Sequence, residues 1–77
     1  MKLTSTLRNR QTMKEKTTIM SKNCSIGQAI TMIESWCYDH GEDYPSFKSI
    51  CKFDNGLSIN VFTKDNKYVN FFEITED

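Results

Sequence analysis

The chain has 77 residues, ten basic and ten acidic side chains, a formal net charge of zero and 38% hydrophobic residues. That length allows one small domain with a single apolar layer and marginal stability, not the deep enclosed cleft most enzymes need to hold a reacting group fixed. No apolar run is long enough for a transmembrane helix, and the first twenty residues lack the continuous apolar stretch of a secretory signal, so a cytoplasmic protein is expected.

The zero net charge hides a split. Residues 1–23 carry Lys2, Arg8, Arg10, Lys14, Lys16 and Lys22 against Glu15 alone, a net of +5. Residues 24–77 carry Lys48, Lys52, Lys64 and Lys67 against nine acids, a net of −5. This layout predicts a basic, flexible N-terminal arm over 1–23, either a solvated leader or a nucleic-acid-binding tail, ahead of a small acidic domain over 24–77. Met13 and Met20 are alternative starts, so part of the arm is expected to be dispensable.

A helix is predicted next. Ile26, Ala29, Ile30, Ile33, Trp36 and Cys37 recur in steps of three and four, which places them on one stripe of an α-helix. Ser25 followed by Gln28 is a capping box: the serine oxygen accepts from the Gln28 amide, and the glutamine side chain reaches back to the Ser25 amide. Gly27 weakens the first turn slightly. Gly41 suits the left-handed position past a helix end, and Pro45 bars continuation.

The stretch around that end, "SWCYDHGEDYPSF", gathers a thiol, an imidazole and several carboxylates. Cys37 and His40, three apart, have the spacing of a nucleophile and its base, or of two zinc ligands. The same spacing puts Cys37 in the buried stripe, where a thiol is inert. The distances to Cys24 and Cys51 complete neither a zinc finger nor a ribbon, and three cysteines without a secretion signal read as reduced thiols. A structural helix terminus is therefore expected, with no catalytic set, no metal site, no cofactor and no small-molecule substrate.

After Pro45 the period changes to two. "SFKSICKF", "LSINVFT" and "KYVNFFEIT" read as three strands separated by the turn-rich "DNG" and "KDNK". A three-residue loop at Asp54–Gly56 pairs Phe53 with Leu57, Cys51 with Ile59 and Ser49 with Val61. In the second hairpin Thr63 meets Tyr68, Val61 meets Asn70, Ile59 meets Phe72 and Leu57 meets Ile74. The predicted class is α+β, one amphipathic helix on a three-stranded antiparallel meander (αβββ). The inner face carries Phe47, Cys51, Phe53, Leu57, Ile59, Val61, Tyr68, Phe72 and Ile74.

One helix covers one face of a sheet. In these registers Ile50, Phe62, Val69 and Phe71 gather on the other face, edged by Lys48 and Lys52, where a solvated antiparallel sheet should be mostly polar. The patch is read as a contact surface for a protein partner or for self-association, as a surface covered by the N-terminal segment, or as a stacking platform for single-stranded nucleic acid. Any one such aromatic can simply stabilise a cross-strand pair, and the reading rests on the four together. The expected function is a small non-enzymatic protein-binding module that modulates or inhibits a larger partner. The chain is rich in Lys, Asn, Ile, Thr and Asp, a composition met in accessory proteins of phages or mobile elements, so action on a host enzyme is the expectation by association. The alternative is a nucleic-acid-binding regulator using the basic arm and the aromatic sheet face.

Overall fold

The computed structural model describes residues 1–40, 49–53 and 56–76. In chain order the elements are β1 (Lys2–Asn9), β2 (Glu15–Ser21), α1 (Ile26–Asp39), β3 (Ser49–Phe53), β4 (Gly56–Phe62) and β5 (Tyr68–Thr75). The class is α+β, and the strands form one antiparallel five-stranded sheet in the order β2-β1-β5-β4-β3. The predicted meander is the β5-β4-β3 part of this sheet. The expectation of three strands behind a flexible arm is corrected: residues 2–21 supply two further strands.

Local chemistry explains the correction. In β1, Leu3, Ser5 and Leu7 alternate with Thr4, Thr6 and Arg8, the period of a half-buried strand, and Leu3 and Ser5 are buried. β1 pairs along its whole length with β5, from Lys2 opposite Thr75 to Asn9 opposite Tyr68. That pairing turns β5 from an edge into the central strand, with Phe72 and Ile74 fully buried. Asn9 organises the turn to β2: its Oδ1 accepts from the backbone N–H groups of Gln11 (2.9 Å) and Thr12 (3.1 Å). A bulge follows in β2, where Leu3 pairs with Ser21 but Thr4 with Ile19. The extra residue, Met20, packs against the core. Charge counting misreads this segment because a Thr- and Arg-rich face solvates a strand as well as it solvates a tail.

The helix starts as predicted. The Gln28 N–H donates to Ser25 Oγ at 3.1 Å, and the Ser25 N–H donates to Gln28 Oε1 at 2.9 Å. Ala29, Ile33 and Cys37 are buried, flanked by Ile30 and Trp36. Ile26 is the exception at 52% exposure. It opens the first turn directly after the chain leaves β2 at the sheet margin, and Cys24 joins the core there instead. Gly41, Pro45 and Phe47 lie outside the described residues.

The β4–β5 register is the predicted one: Leu57 opposite Ile74, Ile59 opposite Phe72, Val61 opposite Asn70. The β3–β4 register is not. Phe53 pairs with Gly56, Lys52 with Leu57, Cys51 with Ser58 and Ile50 with Ile59. The loop is thus one residue shorter than expected, and a one-residue slip exchanges the two faces of a strand. The core gathers Leu3, Cys24, Ala29, Ile33, Cys37, Ile59, Val61, Phe72 and Ile74. Tyr68, expected on the inner face, sits at the strand end and is exposed.

Candidate functional site

The sheet face turned away from the core is built from alternate residues of β4, β5, β1 and β2. One cross-strand row runs Phe62, Val69, Arg8, Glu15. The next runs Asn60, Phe71, Thr6, Thr17, and the third Ser58, Glu73, Thr4, Ile19. Phe62, Val69 and Phe71 therefore adjoin one another, as the strand periods require. Val69 is only 5% exposed although it stands outside the core cluster. Its shielding comes from this face, where Phe62 and Arg8 flank it.

The N-terminal segment reaches the patch with two guanidinium groups. The Arg8 guanidinium carbon lies 4.7 Å from the Phe71 ring centroid, and that of Arg10 lies 4.8 Å from the Phe62 centroid. Both are cation–π distances, in which a cation meets the negative face of a ring. Each arginine is held from its other side. Arg8 pairs with Glu15, with an Nε–H···Oε2 bond of 2.8 Å. Arg10 donates to Asn66 Oδ1 at 2.5 Å and to the Asn66 carbonyl at 3.1 Å, and its backbone N–H donates to the Lys67 carbonyl at 2.9 Å.

The β4–β5 turn that receives Arg10 is itself cross-linked. Asp65 Oδ1 accepts from the Lys67 N–H at 2.9 Å and from the Thr63 hydroxyl at 2.7 Å. The Lys67 N–H first, then the Thr63 hydroxyl, hold the Asp65 carboxyl below its ordinary pKa.

Of the residues expected on this face, Phe62, Val69 and Phe71 are brought together. The observed register puts Ile50 opposite Ile59 and Lys52 opposite Leu57, so these two leave the outer rows. Lys48 lies outside the described residues. The contributions missed in the sequence are Arg8 and Arg10. The signal for Arg8 is the Leu3-Ser5-Leu7 alternation, which assigns Thr4, Thr6 and Arg8 to the opposite face.

Cys37 and His40 lie at the C-terminal end of α1. Cys37 is buried in the core. The His40 ring stacks on Trp36 with centroids 4.1 Å apart, and its Nδ1 lies 2.9 Å from the Trp36 carbonyl oxygen. Among the described residues no three of His, Cys, Asp and Glu stand together as a metal-binding group. No helix among them is long and apolar enough to cross a membrane. Set against protein-family models, curated proteins and solved structures, the chain matches none.

Proposed function

We propose that the protein is a small binding module that engages a larger protein through the outer face of its sheet, and that it modulates or inhibits that partner. The observation that carries this reading is the Phe62–Val69–Phe71 cluster capped by Arg8 and Arg10 on the face the helix does not cover. Aromatic residues and arginine are the types concentrated at protein interfaces, because they bring large contact area and directional donors at small entropic cost. Here both are pre-arranged: the rings are fixed by strand pairing and the guanidinium groups by Glu15 and the β4–β5 turn. A preordered surface loses little freedom on binding.

A second reading is favoured by the same contacts. Arg8 and Arg10 join the aromatic face in one surface, and guanidinium groups layered on rings suit the flat faces and phosphates of single-stranded nucleic acid.

The test is a Phe62→Ser/Phe71→Ser double variant, first shown by circular dichroism to keep the wild-type fold. Affinity capture with wild type and variant should show a partner whose recovery falls at least tenfold with the variant. Equal recovery of every partner by the folded variant removes the contact-surface proposal. A wild-type dimer that becomes a monomer in the variant makes the partner a second copy of the chain. Binding of a labelled single-stranded oligonucleotide that weakens steeply with salt, and is lost in Arg8→Ala/Arg10→Ala, transfers the conclusion to the second reading.

A further inference from the structure

The opposite side of the sheet carries a feature that the contact surface does not use. Near the C-terminal half of α1, beyond the main core, lies a pocket of about 270 Å3 lined by Leu7, Met20 and Trp36 together with Lys16, Thr18, Ser5 and Asn70. It is framed by β1, β2, β5 and the helix, and it is somewhat smaller than the roughly 300–1,000 Å3 typical of drug-sized ligand sites. A ligand of one small ring matches that size.

Asn70 is the informative residue. It stands on the central strand, in the row between Val61 and Leu7, and is only 1% exposed. Its Oδ1 accepts from the Ser5 hydroxyl at 2.7 Å. Its Nδ2 is buried and has no hydrogen-bond partner among the described residues. A buried amide donor left without an acceptor is unfavourable, and an apolar side chain of similar shape would avoid that cost. With Oδ1 engaged by the Ser5 hydroxyl, the nitrogen is the open donor.

The remaining walls define what such an acceptor belongs to. Trp36 is held in place by the His40 stack and by an edge-on contact with Phe72 at 5.6 Å, so it presents a fixed aromatic surface. Leu7 and Met20 add aliphatic surface, and Lys16, on the exposed edge strand β2, brings an ammonium group to the rim. An apolar wall, one buried N–H donor and one cation together fit a ligand with a flat apolar body and a single carboxylate. The larger groove beside the start of α1, about 770 Å3 and lined by Cys24, Ser25 and Gln28 among others, lacks this combination. There the serine and glutamine bond each other, and Cys24 Sγ donates to the Met1 carbonyl.

We propose that the Asn70 pocket binds a small aromatic carboxylate, with Asn70 Nδ2 donating to one carboxylate oxygen, Lys16 neutralising the charge and Trp36 packing on the ring. The ligand is bound and not transformed, and the site is independent of the outer face, so loss of one proposal leaves the other standing. Benzoate is the probe, with benzamide and benzylamine as its neutral and cationic counterparts. Trp36 is the chain's single tryptophan, so its fluorescence reports the pocket without labelling, and the side-chain amide signals of Asn70 report the hydrogen bond in a 15N-resolved NMR titration.

Benzoate should saturate with a dissociation constant at or below about 1 mM, within the range of weak small-ligand sites, and should shift the Asn70 amide signals. Lys16→Met should weaken it at least fivefold, while Lys22→Met, outside the pocket, should leave it unchanged. Asn70→Asp should abolish it. Should that buried substitution unfold the chain, the exposed Lys16 variant still decides. Absence of saturation, equal affinity for benzoate, benzamide and benzylamine, or indifference to Lys16→Met each overturns the proposal.

Discussion

Replacing Leu3 with alanine separates a folded N-terminal hairpin from an appendage. Leu3 is fully buried in β1 and belongs to the core cluster with Ile59, Phe72 and Ile74. Core Leu→Ala changes cost about 2–5 kcal/mol, the upper part of the range applying where the surroundings cannot close over the gap. β1 is held on both sides by β2 and β5, which limits collapse, so about 3–4 kcal/mol is expected. At roughly 0.05–0.15 kcal/mol per residue the whole domain has about 4–12 kcal/mol of stability, so this one side chain carries a large share. With an unfolding entropy of about 2.1 cal/mol/K per residue, the melting temperature should fall by roughly 20 °C. Leu7→Ala, at a half-buried position, should cost about 1 kcal/mol, and Ile19→Ala, 49% exposed on the outer face, less still. Thermal melts followed by far-ultraviolet circular dichroism and Trp36 fluorescence give the ranking. If Leu3→Ala melts within about 4 °C of wild type, or if residues 24–77 alone melt as the full chain does, the hairpin is not part of the cooperative unit.

At the start of α1, Ser25→Ala should cost about 1 kcal/mol by removing the acceptor for the Gln28 N–H, read as a lower denaturant midpoint. Gly27→Ala should raise that midpoint by adding about 0.5–1 kcal/mol of stability, since the added Cβ would meet nothing closer than Ser25 Oγ at 3.9 Å. A double-mutant cycle on Arg10→Ala and Phe62→Leu should return a coupling of about 0.5–1 kcal/mol; strict additivity would show that the guanidinium merely lies near the ring. The lowered pKa of Asp65 gives a pH dependence with a definite sign. A carboxyl more acidic in the folded than the unfolded chain contributes stability above its unfolded pKa, and loses it as pH falls through the folded one. The Asp65→Asn variant should therefore show a smaller drop in melting temperature than wild type on acidification below about pH 4, where free aspartate begins to titrate. Identical acid profiles would show that the turn hydrogen bonds carry no linkage.

The elements legible in the sequence are those whose signals are local. Ser25 and Gln28 announce the helix start, and the steps from Ala29 to Cys37 announce its buried side. The β4–β5 register follows because Leu57, Ile59 and Val61 must share a face with Ile74 and Phe72, and only one short loop allows it. β1 and β2 are not legible in the sequence because their decisive partner is distant. Leu3 and Leu7 are too few to mark a core strand, and their meaning depends on β5, some seventy residues away. The β3 register failed for a related reason. The expected loop at Asp54–Gly56 rests on turn chemistry and on one coherent apolar face, neither of which excludes a loop one residue shorter. β3 is an edge strand with β4 as its one neighbour, so fewer cross-strand partners constrain its register. Of the candidate surface, Phe62, Val69 and Phe71 were readable from strand period alone, whereas Arg8 and Arg10 needed the hairpin to be known. The pocket was invisible because Asn70 gains its meaning only from Ser5 and Trp36, neither near it in sequence.

The pairing of Lys2 with Thr75 brings the two extremities of the chain side by side on neighbouring antiparallel strands. Tension applied at those residues pulls on the first rung of the ladder alone, then the next, so the β1–β5 seam opens like a zipper instead of shearing all at once. The same seam is the last to form as the polypeptide emerges, because every rung joins early-made to late-made residues, and long-range pairing of this kind slows folding. Until β5 is delivered, β1 lacks its neighbour on that side and Leu3 has neither Phe72 nor Ile74 to pack against.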